Sequence, residues 1–281
     1  MSTRRGAHRG RGGAKAAPAP APGPDRFDLY EHCVQTPDGA ARLLAAIHGG
    51  RPRVLREDFA GGGGICKAWV RAGRGRAGGR EAIAVDHDPE PLRRLAGVEG
   101  VRTLCADVRR ARARADVIAA LNFPLGYFFE RRDLVAYLRA CRKRLLPRGV
   151  FVADTYGGRG AFDRATTSAD FVLPGGERVR YTWEQREADP VRGRVVNALH
   201  FRVRAAGRRT RVLRDAFVYH WRLWSIPELV DACRDAGFGR VEVFDPQAGA
   251  LDEHGRLHVR PVDAGEGLGE DWVVYVAARA G

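Results

Sequence analysis

Between residues 38 and 155, short apolar runs alternate with stretches whose apolar positions recur at helical spacing. Residues 54–57, the run ending at Asp86, the run ending at Asp107, residues 116–122 and residues 150–153 each read as a buried strand. Residues 38–48 place Leu43, Leu44 and Ile47 on one helical face. Residues 65–71 open a second helix, and Pro89 starts a third through Leu92 and Leu95. Residues 133–146 put Leu134, Leu138, Cys141 and Leu145 on one face, and Pro147-Arg148-Gly149 ends that helix. Strands alternating with helices predict a parallel, doubly wound α/β sheet.

The period then changes to two over residues 177–187, 193–204 and 210–222, with turns at Asp189-Pro190 and Ala206-Gly207. These predict three antiparallel strands, an insertion or lid spanning residues 157–222. One face carries Tyr181, Trp183, Phe201, Phe217, Tyr219 and Trp221; the other carries Arg178, Arg180, His200, Arg202 and His220. An antiparallel sheet commonly buries one face and solvates the other. Ser225-Ile226-Pro227-Glu228 is a capping box, and Gly237 ends the helix that it starts. Residues 240–244 and 272–277 supply two closing strands.

Length changes this picture little: 281 residues make one large domain, or one domain plus an insertion. Residues 1–24 are Arg/Gly-rich, then Ala/Pro-rich, and predict a disordered tail ahead of a domain over 25–281. No apolar run reaches the length of a membrane span, and the N-terminus has no apolar core of a secretory signal. The net charge is +14 and arginine supplies nearly all of the positive side, since lysine occurs only as Lys15, Lys67 and Lys143. A GC-rich coding bias and a polyanionic partner such as RNA, held through the Arg-rich tail, both account for it. Cys33, Cys66, Cys105, Cys141 and Cys233 are widely spaced, which argues against a disulfide framework or a metal site and for a cytoplasmic setting.

The chemistry gathers at the strand ends. Arg56-Glu57-Asp58 runs into Phe59-Ala60-Gly61-Gly62-Gly63-Gly64, and the next two strands end at Asp86 and Asp107. A strand, a glycine-rich turn and a helix form the nucleotide crevice of an open sheet. Carboxylates lining it suit a ligand with hydroxyls, an amino group and positive charge better than a diphosphate. The dinucleotide fingerprint fails in both registers, because Cys66 or Lys67 stands where its third glycine or alanine belongs.

With these residues the chain resembles the class I S-adenosylmethionine-dependent methyltransferases. The carrying segments are Val54 to Gly61, Ala84 to Pro89, Cys105 to Val108 and Ala119 to Phe123. The Leu-Arg-Glu-Asp-Phe form, with Tyr219 to Leu229, is similar to a bacterial subgroup whose substrates are mostly unassigned. The resemblance implies a Rossmann-like doubly wound sheet of seven strands, the last antiparallel, with the three-stranded sheet inserted. It implies S-adenosylmethionine as cofactor, with Glu57, Gly61 and Gly63 near its methionine part and Asp86 on the ribose diol. Asp107 would accept from the adenine amino group with Val108 beside the ring, and Asn122 would open toward the methyl group. Tyr30 and Gln35 lie in a segment that covers the cofactor. Phe59 departs from the family, which usually has glycine there.

Methyl transfer from a sulfonium is an in-line displacement that alignment can largely drive, and a general base is needed only when the nucleophile arrives protonated. Tyr127, Tyr156 and His220 are the candidates to touch the acceptor, with Tyr156 and His220 the catalytic pair; the alternatives are packing for Tyr156 and a solvated or ion-paired role for His220. The expected reaction is methyl transfer to N or O of a small or medium-sized acceptor. Two further readings stand beside it. A nucleic-acid methyltransferase is supported by the basic balance and by Asn122 and Pro124, which match two positions of an Asn-Pro-Pro-Tyr amino-methylation motif. The other is a cofactor-free binding protein on the same fold.

Overall fold

The computed structural model describes residues 23–75, 78–253, 257–263 and 267–281. The tail expected over 1–24 therefore lies, through residue 22, outside the described residues. In chain order the elements are α1 (Arg26–Cys33), α2 (Pro37–His48), β1 (Val54–Asp58), α3 (Gly64–Arg71), β2 (Glu81–Asp86), α4 (Pro89–Leu92), β3 (Val101–Cys105), β4 (Ala115–Ala120), α5 (Arg131–Arg142) and β5 (Leu145–Gly158). They continue with β6 (Ala165–Val172), β7 (Arg178–Asp189), β8 (Arg194–Arg204), β9 (Arg211–Arg222), α6 (Ile226–Asp235), β10 (Arg240–Phe244), β11 (Ala250–Leu251), β12 (Leu257–His258) and β13 (Asp271–Arg279).

Seven strands form the main sheet in the order β10-β13-β5-β4-β1-β2-β3. β1 to β5 are parallel, and the last strand, β13, runs antiparallel to both neighbours. Alternation along each strand builds two cores. On β4, Ile118 and Ala120 face α5 and α6, whereas Val117 and Ala119 face α2 and α3. Because both faces are covered, these strands read as continuous apolar runs. The strand order reverses between β1 and β4, and ligands bind outside the carboxyl ends at such a reversal.

The inserted sheet has four strands, in the order β6-β7-β8-β9, where three were expected. The additional β6 is an edge strand exposed along nearly all its length, so no burial imposes an apolar alternation on Thr166, Thr167 and Ser168. The helix expected over 133–146 ends at Arg142 instead. Pro147 disfavours helical geometry at Leu146, and Leu145 pairs with Ala115 as the start of β5. The capping box at Ser225 and Glu228 is present, and Gly237 takes a φ of +92°.

The inserted sheet folds back over the crevice end of the main sheet. Its apolar face packs on α1, with Leu29 and Cys33 of α1 against Val179, Leu199 and Phe201. Phe27 and Tyr30 meet Phe217 at centroid distances of 5.7 and 5.1 Å. A capping box of Asp25 and Asp28 starts α1, and Arg94 bonds both carboxylates. The roof is thereby tied through α1 to the segment after β2. Among the described residues, no helix is long and apolar enough to cross a membrane.

Candidate active site

Two cavities occupy the space between sheet and roof. A crevice of about 1070 Å³ lies over the carboxyl ends of β1 to β3, lined by Phe59, Gly61, Gly62, Asp86, Asp107 and Val108 among others. A second cavity of about 830 Å³ lies beside it, walled by β5, β13 and the inserted sheet. Tyr30, Gln35, Leu121, Asn122, Tyr219 and Trp221 line both and mark where the two meet. Trp221 stacks on Tyr219 at 4.5 Å, with its indole Nε1 buried.

The glycine turn is held by the acids themselves. The Gly61 N–H donates to Asp86 Oδ2 at 2.8 Å, and the Asp88 N–H donates to Asp86 Oδ1 at 3.0 Å. A carboxylate has about four acceptor sites, so Asp86 keeps capacity for a diol. A side chain at Gly61 would point into open space, which leaves its backbone approachable by a ligand. Gly63 does something else: it is buried, with φ +63°, and a Cβ there would sit 2.5 Å from Leu95 Cδ1. It serves close packing and does not line the crevice.

Glu57 also lies beneath the crevice and not in its wall. It is 3% exposed and accepts from the Cys66 N–H at 2.9 Å, clamping the start of α3 to β1. Burial pushes its carboxyl up to about 7, against the pull of the Cys66 bond. Glu57 supports the loop from one layer below the crevice lining.

Arg56 and Asp58, which the sequence offered only as parts of a motif, form a fully buried pair. Arg56 Nε and Nη2 donate to the two oxygens of Asp58 at 2.7 and 2.9 Å. The remaining donors reach the carbonyls of Val108, Ala111 and Ala113 at 3.0, 3.1 and 3.2 Å. All five guanidinium N–H groups are used, and Tyr137 donates to Asp58 Oδ2 at 2.9 Å. The pair therefore fixes the loop that follows Asp107. Phe59 takes a φ of +58°, where the resembled family has glycine, and its ring stacks near Tyr127 at 6.1 Å.

Asp107 lines the crevice, with Val108 beside it. Its carboxylate is gripped by the Arg109 guanidinium, with Nε at 3.0 Å and Nη2 at 2.5 Å, and hydrogen bonding from Arg109 holds it below the usual carboxylate range. An amino group reaching Asp107 shares it with Arg109.

Beyond β4, Asn122 and Phe123 both adopt left-handed φ, at 70° and 65°. Such values are strained for bulky residues, and Asp154 sustains them. Its Oδ2 accepts from the Asn122 N–H at 2.8 Å and its Oδ1 from the Phe123 N–H at 2.7 Å. Asp154 is 5% exposed, lines the second cavity, and is pushed by burial up to about 7. Sequence reasoning gave it no role; it follows Ala153, the last residue of β5 paired with β4, while β5 itself runs on beside β13 to Gly158.

Tyr156 lines the second cavity, where its hydroxyl accepts from Asn197 Nδ2 at 3.0 Å and meets Gln185 Oε1 at 3.3 Å. His220 is not brought there. It is exposed on the sheet face opposite Tyr219 and Trp221, because successive strand residues point to opposite sides. This removes it from the expected catalytic pair. Tyr30 and Tyr219 touch both cavities, and burial raises both hydroxyls well above the ordinary tyrosine range.

No protein-family model matches the chain, and no curated protein matches it in sequence. Solved structures do resemble it. One is an S-adenosylmethionine-dependent methyltransferase from Clostridium acetobutylicum, 16% identical with a TM-score of 0.60, over 89% of this chain and 94% of that one. Another is the sugar N-methyltransferase KedS8 from Streptoalloteichus, 15% identical at 0.62, over 98% and 100%. A third is CalS10 of Micromonospora echinaspora, an amino pentose methyltransferase solved with S-adenosylmethionine bound, 17% identical at 0.61, over 90% and 96%. At such identities the likeness is one of fold, and the fold is the one these methyltransferases share.

Proposed function

We propose that the protein is an S-adenosylmethionine-dependent methyltransferase acting on a small or medium-sized acceptor. The observation that carries this is the meeting of two cavities at Tyr30, Gln35, Leu121, Asn122, Tyr219 and Trp221. One cavity has the acids and glycine backbone suited to a nucleoside with an amino acid tail; the other is closed by the inserted sheet and receives the acceptor. Asp86 holds the ribose diol, Asp107 and Val108 the adenine, and the backbone at Gly61 and Gly62 the methionine part. When bound, S-adenosylmethionine supplies an electrophilic methyl group.

The chain's own residues then act by orientation. Asp154 fixes the Asn122-Phe123 turn at the junction, where Tyr30, Tyr219 and Trp221 supply aromatic walls. Holding two reactants in line supplies much of the rate enhancement such a reaction needs, so Tyr156 serves as a positioning group for the acceptor. The similar sugar and amino pentose methyltransferases support an acceptor of this size.

Thermal unfolding tests the choice of cofactor. S-adenosylhomocysteine at about 100 times its Kd is expected to add about 2.7 kcal/mol, or roughly 5–10 °C in Tm for a domain of this size. NAD at the same concentration is expected to add nothing. An equal rise with NAD, or none with either ligand, would count against the proposal.

A further inference from the structure

We propose that the acceptor carries an amine that enters the second cavity as its ammonium cation, an inference that rests on the methyl-transfer reading above. The cavity's composition is at odds with the rest of the molecule. The chain carries +14 net charge, yet none of the described residues lining this cavity is Lys, Arg or His. Its carboxylates are Asp154, buried, and Asp163 and Asp271, both exposed. Nine of its lining residues are aromatic.

Aromatic faces attract cations through their quadrupoles, most strongly where water is excluded. Three carboxylates add to that attraction, and no described cation in the wall offsets them. An anionic acceptor would be repelled by the acids, and a neutral alcohol would gain little from them. The inserted sheet separates the two signs. Its inner face gives Tyr181, Trp183 and Tyr219 to the cavity, and its outer face carries Arg178, Arg180, Arg202 and Arg204. On this sheet the arginines are therefore turned away from the cavity.

The chemistry balances. The ammonium gives a proton to the Asp154 carboxylate, whose oxygens retain acceptor sites beside the two backbone bonds. Nitrogen's freed electron pair forms the new N–C bond while the methyl–sulfur bond breaks and its electrons stay on sulfur. The positive charge lost by the sulfonium reappears on the methylated nitrogen, still among the same aromatic rings and acids.

Three near-isosteric probes test this: benzylammonium, benzyl alcohol and benzoate, titrated by ligand-observed NMR against the full chain with S-adenosylhomocysteine and without it. Benzylammonium is expected to bind about fivefold tighter than benzyl alcohol, with benzoate weakest. The Asp163→Asn, Asp271→Asn double variant changes only exposed carboxylates and is expected to close much of that gap. Binding of benzyl alcohol or benzoate as tight as benzylammonium, or no binding of benzylammonium, overturns the inference, as does an unchanged preference in the double variant. Calorimetry with S-adenosylhomocysteine on the same sample reports separately on the methyl-transfer reading. Ammonium selectivity without cofactor binding would reject the reaction and leave the cavity's ligand class standing.

Discussion

Glu57 and Gly63 hold the glycine turn from beneath, one by a bond to the Cys66 N–H and the other by close packing on Leu95. Glu57 is folded with its carboxyl raised to about 7, mainly by burial. A raised carboxyl pKa means the folded state holds its proton longer than the unfolded chain does. Stability from this group is therefore full below the unfolded value near 4.5 and is lost as pH rises through about 7. Glu57→Gln removes that dependence and keeps an acceptor for the Cys66 N–H. Its stability relative to the parent is expected to improve between pH 5 and pH 8 by on the order of 3 kcal/mol, read from urea unfolding at each pH; a constant difference would contradict the burial account. Gly63→Ala meets Leu95 and keeps a left-handed φ, so a loss of about 2 kcal/mol or more is expected in the same assay. The sequence showed that these positions matter but not which layer they occupy. Acid and glycine identity is visible in a string of letters, whereas the Cys66 and Leu95 contacts exist only once α3 and the segment after α4 have docked. His220 lines neither cavity: strand parity, legible in the sequence, sets it on the arginine face opposite Tyr219 and Trp221.

At the scale of elements, the Arg56–Asp58 pair joins β1 to the loop after β3. Removing one member of a buried ion pair leaves the other uncompensated, typically at 3–5 kcal/mol. Arg56→Met is expected to fall in that range and to weaken cofactor binding, since the carbonyls of Val108, Ala111 and Ala113 lose their donor. Adding Asp58→Asn to it is expected to restore part of the stability but not the cofactor affinity. Equilibrium unfolding and calorimetry of the single and double variants check both. If Arg56→Met costs stability alone, the pair does not position the loop. The parallel strands were legible because burial on both faces makes each a dense apolar run. β6 was not, because it is an exposed edge. α1 was seen only as a segment that covers the cofactor; its packing face is the inserted sheet, which lies far away in the chain. Asp154 lies inside β5, without the strand-end signal that Asp86 carries, and its meaning depends on two left-handed residues in the neighbouring strand's exit.

For the whole molecule the division of charge bears on the proposed choice of a small acceptor over RNA. The described lining of the second cavity has no cation, while arginines crowd the outer face of the inserted sheet and the N-terminal sequence. Any single-stranded RNA bound by the full chain at low salt is expected to be released by about 200 mM salt. Deleting residues 1–22 is expected to weaken that binding and leave S-adenosylhomocysteine affinity unchanged. Fluorescence polarisation with and without these residues measures this, and salt-resistant RNA binding that survives the deletion would favour a nucleic-acid acceptor. The most direct test of the central claim is calorimetric titration with S-adenosylmethionine and S-adenosylhomocysteine, with Asp86→Ala alongside. The account expects micromolar binding by the parent and loss of it in the variant, whose circular dichroism stays native. Folded parent protein that binds neither ligand, or a variant that binds both as tightly, would contradict it.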